Sequence, residues 1–267
     1  MIAAEPPTTR ERALNIPGLL LGWIVLLLAI QAVREWVDEG TDLRLLLESA
    51  FIPAPWSVAF GFASVEDVLG AAERGSSDPQ ITALRIALAR YLTAEAPWTP
   101  WSWLSYAFLH GSWTHVVLNS VWLAAFATPV MKRAGAARSL ALAVATALGG
   151  ALAQWIADPL GVQPTIGASA VVSGFMGAAA TFIFARPTWP HTGPTGRWSF
   201  LAHRGVITFL GVWLAANLLF GVVAAPLGIG EGAIAWQAHI GGLLAGLVLF
   251  PLIDPDGAPA RRLASGA

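Results

Sequence analysis

Apolar residues in this chain come in long runs rather than narrow stripes. Six stretches, at about 17–34, 114–130, 138–157, 167–185, 204–226 and 233–252, are hydrophobic around most of their circumference and nearly free of charge. A helix of about 20 such residues crosses the hydrocarbon core of a bilayer, and one without a polar face has no side to turn to water. The pattern therefore predicts an all-α, polytopic membrane protein with six transmembrane helices. The first run, GLLLGWIVLLLAIQAV, is long for the core of a signal peptide and has no clear small-x-small cleavage site, so it reads as a retained span.

The segment 35–113 breaks this pattern. It is rich in Asp and Glu and holds an amphipathic stretch, ITALRIALARYL, and a tryptophan cluster, PWTPWSWLSY. These predict short helices at or dipping into the membrane interface, with Trp98, Trp101 and Trp103 at headgroup level. The segment is short and shows no clear core pattern, which argues against an independent soluble domain. The organisation expected is a tail over 1–16, a membrane domain over 17–253 with a large outward loop at about 35–113, and a second tail over 254–267.

Composition agrees: 12% of residues are charged and 56% hydrophobic, against about 25% charged in a soluble domain. A net charge of −1 gives no reason to expect a nucleic-acid partner. The absence of cysteine excludes disulfides, thiolate metal sites and cysteine nucleophiles. Charge placement then sets orientation. Arg10 and Arg12, Lys132, Arg133 and Arg138, Arg186, Arg197 and Arg204, and Arg261 and Arg262 alternate with short loops around Asp158 and Glu231 that hold no base. The positive-inside rule puts both termini in the cytoplasm and the long loop outside. Arginine-biased basic residues beside abundant Ala, Gly and Pro suggest a bacterial inner membrane.

Polar residues inside the spans point to chemistry. His115 and Asn119 lie in the second span, Ser169 and Ser173 in the fourth, Gln237 and His239 in the sixth. All three spans run from outside to inside, and each of these residues sits one or two turns past the helix start. At 1.5 Å per residue that is one layer about 3–10 Å deep. A lone serine in a span is usually a packing residue, and Asn119 alone is equally an interhelical tie. Histidine is harder to dismiss, because burying it costs free energy that packing seldom returns. His115 and Asn119, four apart, share a helix face. No carboxylate accompanies them, so neither a metal site nor an ion pathway is expected, and no cofactor. What remains is nucleophilic catalysis, with Ser169 attacking a carbonyl and His239 accepting its proton. His115, Asn119 and the unpaired N–H groups at the start of the fourth helix would hold the oxyanion. Gly242 and Gly246 form a small-xxx-small face near His239, and the GASA segment is small-sided too, which would let these two helices pack closely. His110 reads as structural, and His191 and His203 fall on the cytoplasmic side.

Three segments together resemble the rhomboid family of intramembrane serine proteases: HGSWTHVVLN, GASA and AHIGGLLAG. They are similar to that family's H-x-x-x-N, G-x-S-G and A-H-x-x-G-x-x-x-G motifs in order, spacing and helix assignment, over about residues 100–250. The resemblance implies a six-helix bundle with a Ser169–His239 dyad and no acidic third member. His115 and Asn119, with Ser169, would stabilise the oxyanion, and Gly167, Ala170, Gly242 and Gly246 would provide helix packing near the site. The substrates implied are membrane-anchored proteins cut in or near their transmembrane segments. Mobility of the fifth helix and the following APLGIGEGAIAWQ segment would gate access. The chain departs from the family pattern in three places. Ala170 stands where glycine is expected, Ser173 where an aromatic ring would stack on the dyad histidine, and Met131 where an acid would precede Arg133. Ala170 and Ser173 motivate an alternative, a non-catalytic relative that binds client transmembrane segments. Ser173 also lies on the face of Ser169 and is a backup nucleophile. The sequence does not determine the oligomeric state.

Overall fold

Residues 17–36 begin with Pro17, whose fixed backbone suits a helix start, and the apolar run that follows forms α1 (Gly18–Trp36). The structure, a computed structural model, describes residues 15–95, 99–184, 198–219, 221 and 235–255. Arg10, Arg12, Arg186, Arg197, Arg261, Arg262, Trp98, His191, Glu231 and most of the expected gating segment lie outside the described residues.

After α1 come α2 (Glu39–Ser49), α3 (Pro53–Ala59), α4 (Val65–Arg74), α5 (Pro79–Arg90) with a π-helical turn over Tyr91–Glu95, and α6 (Ser102–Ser105). Side-chain caps set where these short helices start. Asp38, Ser64 and Asp78 each accept backbone N–H groups of the first turn, and Ser64 with Asp67 forms a reciprocal capping box. The segment has a core after all: Ala50, Ile52, Val68, Ala72, Ala89, Leu92 and Leu109 pack together with Val162 from beyond the third span. Sequence pattern hides this core because each short helix contributes only one or two residues. Trp103 is half-buried in an aromatic cluster. Its ring packs 4.9 Å from Phe51, 5.5 Å from Trp56 and 5.9 Å from Trp155. Trp101 is half exposed, and its Nε1–H donates to the Glu48 carbonyl at 2.8 Å.

The bundle proper follows: α7 (Trp113–Ala134), α8 (Ala136–Ala157), α9 (Ser169–Ile183), α10 (Arg204–Leu218) and α11 (Trp236–Ile253). Together with α1 these occupy the six expected spans, and the part of the fifth beyond 221 lies outside the described residues. Four of them, α1, α7, α8 and α11, are long and apolar enough to cross a membrane, while α9 and α10 are shorter apolar helices. Gly135, at φ +81°, closes α7 and opens α8, a left-handed turn that a side chain would resist. The chain is an all-α integral membrane protein.

Helix α9 is the centre. Every residue from Ala170 to Ala180 is buried, and α7, α8 and α11 surround it. At 15 residues it is about 22 Å long, and neighbouring helices rather than its own length shield it from lipid. Helix α10, by contrast, packs only lightly on α9 and α11, and Val206 and Asn217 are its buried residues.

Candidate active site

Ser169 opens α9, two residues later than the hydrophobic run suggests, because the chain arriving there is pinned in a non-helical path. Phe51 and Thr165 exchange backbone hydrogen bonds at 3.1 and 2.8 Å, and Gly167 N–H donates to the Tyr106 carbonyl at 2.9 Å. Ala168 N–H donates to His110 Nε2 at 3.3 Å. Gly167 has φ +117°, and a Cβ there would lie 2.8 Å from His115 Nε2 and 3.6 Å from Asn119 Nδ2. Its missing side chain therefore makes room for the His115 ring of the neighbouring helix α7, with Asn119 at ordinary contact distance. No side chain caps α9, so its first N–H groups lack a capping acceptor.

His239, in the first turn of α11, places Nε2 2.7 Å from Ser169 Oγ, a good hydrogen-bond distance. Glycines set that proximity. A Cβ on Gly242 would overlap the Ala170 carbonyl, and one on Gly246 the Gly174 carbonyl. Helix α11 thus lies backbone to backbone on α9, with Ser169 and His239 at one end of the contact.

His115 and Asn119 sit on the adjoining face of α7. His115 Nδ1 accepts Gly111 N–H at 3.4 Å, so the neutral ring carries its proton on Nε2, the nitrogen beside Gly167. Asn119 is buried, and its Nδ2 has no hydrogen-bond partner among the described residues. An unpaired amide donor at this depth is costly unless something else accepts from it. The arrangement offers two side-chain donors beside the backbone that leads into Ser169.

His110 is fully buried against His115, ring centroids 4.9 Å apart, and its role is to hold the Ala168 amide. Burial, reinforced by the neighbouring His115, pushes its imidazole down to about 3. Ser173 is buried and makes no hydrogen bond to His239, whose ring nitrogens are taken by other partners. Gln237 lies in the first turn of α11, and His203 caps α10 at its opposite end by accepting Gly205 N–H.

One residue at the site escapes the depth argument, which compares only spans running in one direction. Asn217 of α10 is 9% exposed and sets Oδ1 2.7 Å from His239 Nδ1, while its Nδ2 donates to the Trp236 carbonyl at 3.1 Å. Its signal in the sequence is a carboxamide within the otherwise apolar WLAANLLF, which needs a partner in lipid.

Comparison with known proteins follows the same residues. The family model described as Rhomboid domain matches residues 97–254. The chain is similar to the Rhomboid protease GlpG of Serratia proteamaculans, 30% identical over 149 residues, which cover 56% of this chain and 46% of that protein. The Rhomboid protease GlpG of Yersinia enterocolitica matches at the same identity and extent. An uncharacterised protein of Mycobacterium bovis is 29% identical over 170 residues, 61% of this chain and 63% of that one. The chain spans about half the length of the two GlpG proteins it matches. The matched region runs from α6 through α11, takes in Ser169, Asn217 and His239, and makes up more than half of the sequence. This chain belongs to the rhomboid family.

Proposed function

We propose that the protein is an intramembrane serine endopeptidase that hydrolyses peptide bonds of membrane-anchored proteins in or near their transmembrane segments. The observation that carries this reading is the 2.7 Å contact between Ser169 Oγ and His239 Nε2 across two helices of the bundle. The two relatives named as rhomboid proteases support it. In the first half-reaction His239 Nε2 takes the hydroxyl proton as Oγ bonds to the scissile carbonyl carbon. The carbonyl oxygen becomes an oxyanion, received by His115 Nε2–H, Asn119 Nδ2 and the N–H at the start of α9. Collapse of this intermediate breaks the C–N bond, and His239 gives its proton to the departing amine. Water, activated by the same nitrogen, then attacks the acyl-serine, and Oγ takes the proton back. Gly167, Ala170, Gly242 and Gly246 hold the two helices and the approach to Ser169 at the spacing this needs. Both termini are assigned to the cytoplasm of a bacterial cell, on the arginine distribution, so the site opens to the extracytoplasmic side.

The test is fluorophosphonate labelling and cleavage of a transmembrane reporter by wild type, Ser169→Ala and His239→Ala. Wild type is expected to label at Ser169, and both variants to lose labelling and cleavage, the latter by on the order of 10⁴-fold or more. Undiminished cleavage by Ser169→Ala removes that serine from the mechanism. A folded wild type that binds client helices yet never labels leaves the non-catalytic reading, which Ala170 and Ser173 motivate.

A further inference from the structure

We infer that Asn217 is a positioning residue that sets the tautomer and ring orientation of His239, the task left open by Ser173 where an aromatic ring would stack. The inference rests on the protease reading for its consequence, but its geometry stands independently. The Trp236 carbonyl can only accept, so the group 3.1 Å from it must be the NH₂ of Asn217. That fixes the carboxamide orientation and turns Oδ1 to His239 Nδ1 at 2.7 Å. Oδ1 can only accept, so Nδ1 must carry the hydrogen. A neutral imidazole has one N–H, and Nε2 is therefore left with its lone pair facing Ser169 Oγ at 2.7 Å. Four groups from three helices form a single directed chain, from the serine hydroxyl through the imidazole and carboxamide to a backbone carbonyl.

The opposite tautomer places a hydrogen on Nε2, where it donates to Ser169 and leaves no base. It also sets a bare Nδ1 against a bare Oδ1. Asn217 thus penalises the unproductive form as well as favouring the productive one. It holds the ring at its far edge, through Nδ1, whereas a stacked aromatic would hold it by its face. When the ring becomes an imidazolium, the Nδ1–H···Oδ1 bond becomes charge-assisted and strengthens. A carboxamide suits this place better than a carboxylate. It is 9% exposed and must donate as well as accept, and an ionised acid here would pay desolvation without a donor for Trp236. Asn217 is the buried polar residue on the far turn of α10 among the described residues, and it ties this lightly packed helix to the site.

The experiment reads the tautomer directly. The full-length protein, ¹⁵N-labelled at histidine, is compared as wild type, Asn217→Leu and Asn217→Asp, with His239→Gln identifying the His239 signals. Wild type is expected to show a protonated Nδ1 and a bare Nε2. Asn217→Leu, of similar volume but with no acceptor, is expected to lose that pattern and to slow fluorophosphonate labelling of Ser169 by about 10- to 100-fold, the scale on which the outer partner of a metal-bound histidine acts. Asn217→Asp keeps an acceptor but loses the donor to Trp236, and is expected to retain the tautomer and to label faster than Asn217→Leu but below wild type. A wild-type spectrum with the proton on Nε2 overturns the inference outright, whether or not either variant folds. So does a folded Asn217→Leu protein with unchanged tautomer and rate. If wild type shows the expected tautomer but Ser169 never labels, the protease reading fails while the positioning contact stands.

Discussion

The methyl group of Ala170 meets Gly150 of α8. A Cβ built on Gly150 would lie 2.6 Å from the Ala170 Cβ, 2.7 Å from Tyr106 Oη and 3.0 Å from the Ala238 carbonyl. Neither the methyl nor the carbonyl can swing aside, so the extra carbon next to the nucleophile is accommodated by a carbon missing from the facing helix. His110 couples stability to pH. Its imidazole is pushed by burial from 6.5 to about 3, so between those values the unfolded chain binds a proton that the native protein refuses. The His110 contribution to stability is full above pH 6.5 and falls as pH drops toward about 3, by up to about 1.4 kcal/mol per pH unit. Melting temperature measured across that window should fall for wild type and fall less steeply for His110→Gln, which keeps an acceptor for Ala168 N–H but has nothing to titrate.

At the scale of helices, α8, α9 and α11 form one backbone-close unit. Besides Gly242 and Gly246, a Cβ on Gly177 would come within 2.6 Å of the Leu243 carbonyl, and one on Gly174 would overlap the Thr146 side chain. Close approach brings dispersion contacts and carbonyl groups together where lipid would offer no hydrophobic gain. Gly246→Ala should therefore push α11 from α9 and cost about 1–3 kcal/mol through overpacking. Because Ser169 and His239 sit at the end of the same contact, the variant is also expected to label more slowly with fluorophosphonate while its helical circular dichroism is unchanged. Labelling at the wild-type rate would mean the glycine face does not set the distance at the site.

Across the whole molecule, charged ties fasten the two ends of the bundle. At one end, Arg34 of α1 binds both carboxylate oxygens of Asp42 at 2.7 and 2.9 Å and donates to the His110 carbonyl at 2.6 Å, linking the first helix and the loop helices to the segment behind the site. At the other, Arg133 at the end of α7 makes a two-point pair with Asp254 after α11, both bonds 2.9 Å, with its guanidinium 4.8 Å above the Phe182 ring of α9. The acid that Met131 fails to supply beside Arg133 thus comes from the far end of the chain. Asp254→Asn should lower thermal stability by about 1 kcal/mol, a modest figure because the Arg133 side chain is 29% exposed and partly screened. Reporter cleavage should be little affected, since the tie is at the opposite end of α9 from Ser169. A variant that melts like wild type would show that the pair contributes nothing to the closure of that end.

The sequence by itself determined the apolar helices and the family, and it marked Ser169, His239, His115 and Asn119 as polar groups worth explaining. Those properties are local. Twenty apolar residues favour lipid wherever they pack, and an imidazole among them is conspicuous without coordinates. The pairing of Ser169 with His239 was expected from their common depth, whereas the contacts around that pair were decided only by the tertiary structure. It joined Asn217 to His239 from an antiparallel helix, placed Gly150 opposite Ala170, drew Asp254 to Arg133, moved the start of α9 to Ser169 and gathered the loop helices around their own small core. The Gly242 and Gly246 face is periodic and legible in one helix, but which helix it meets, and chain paths such as the turn at Gly167, depend on partners distant in sequence.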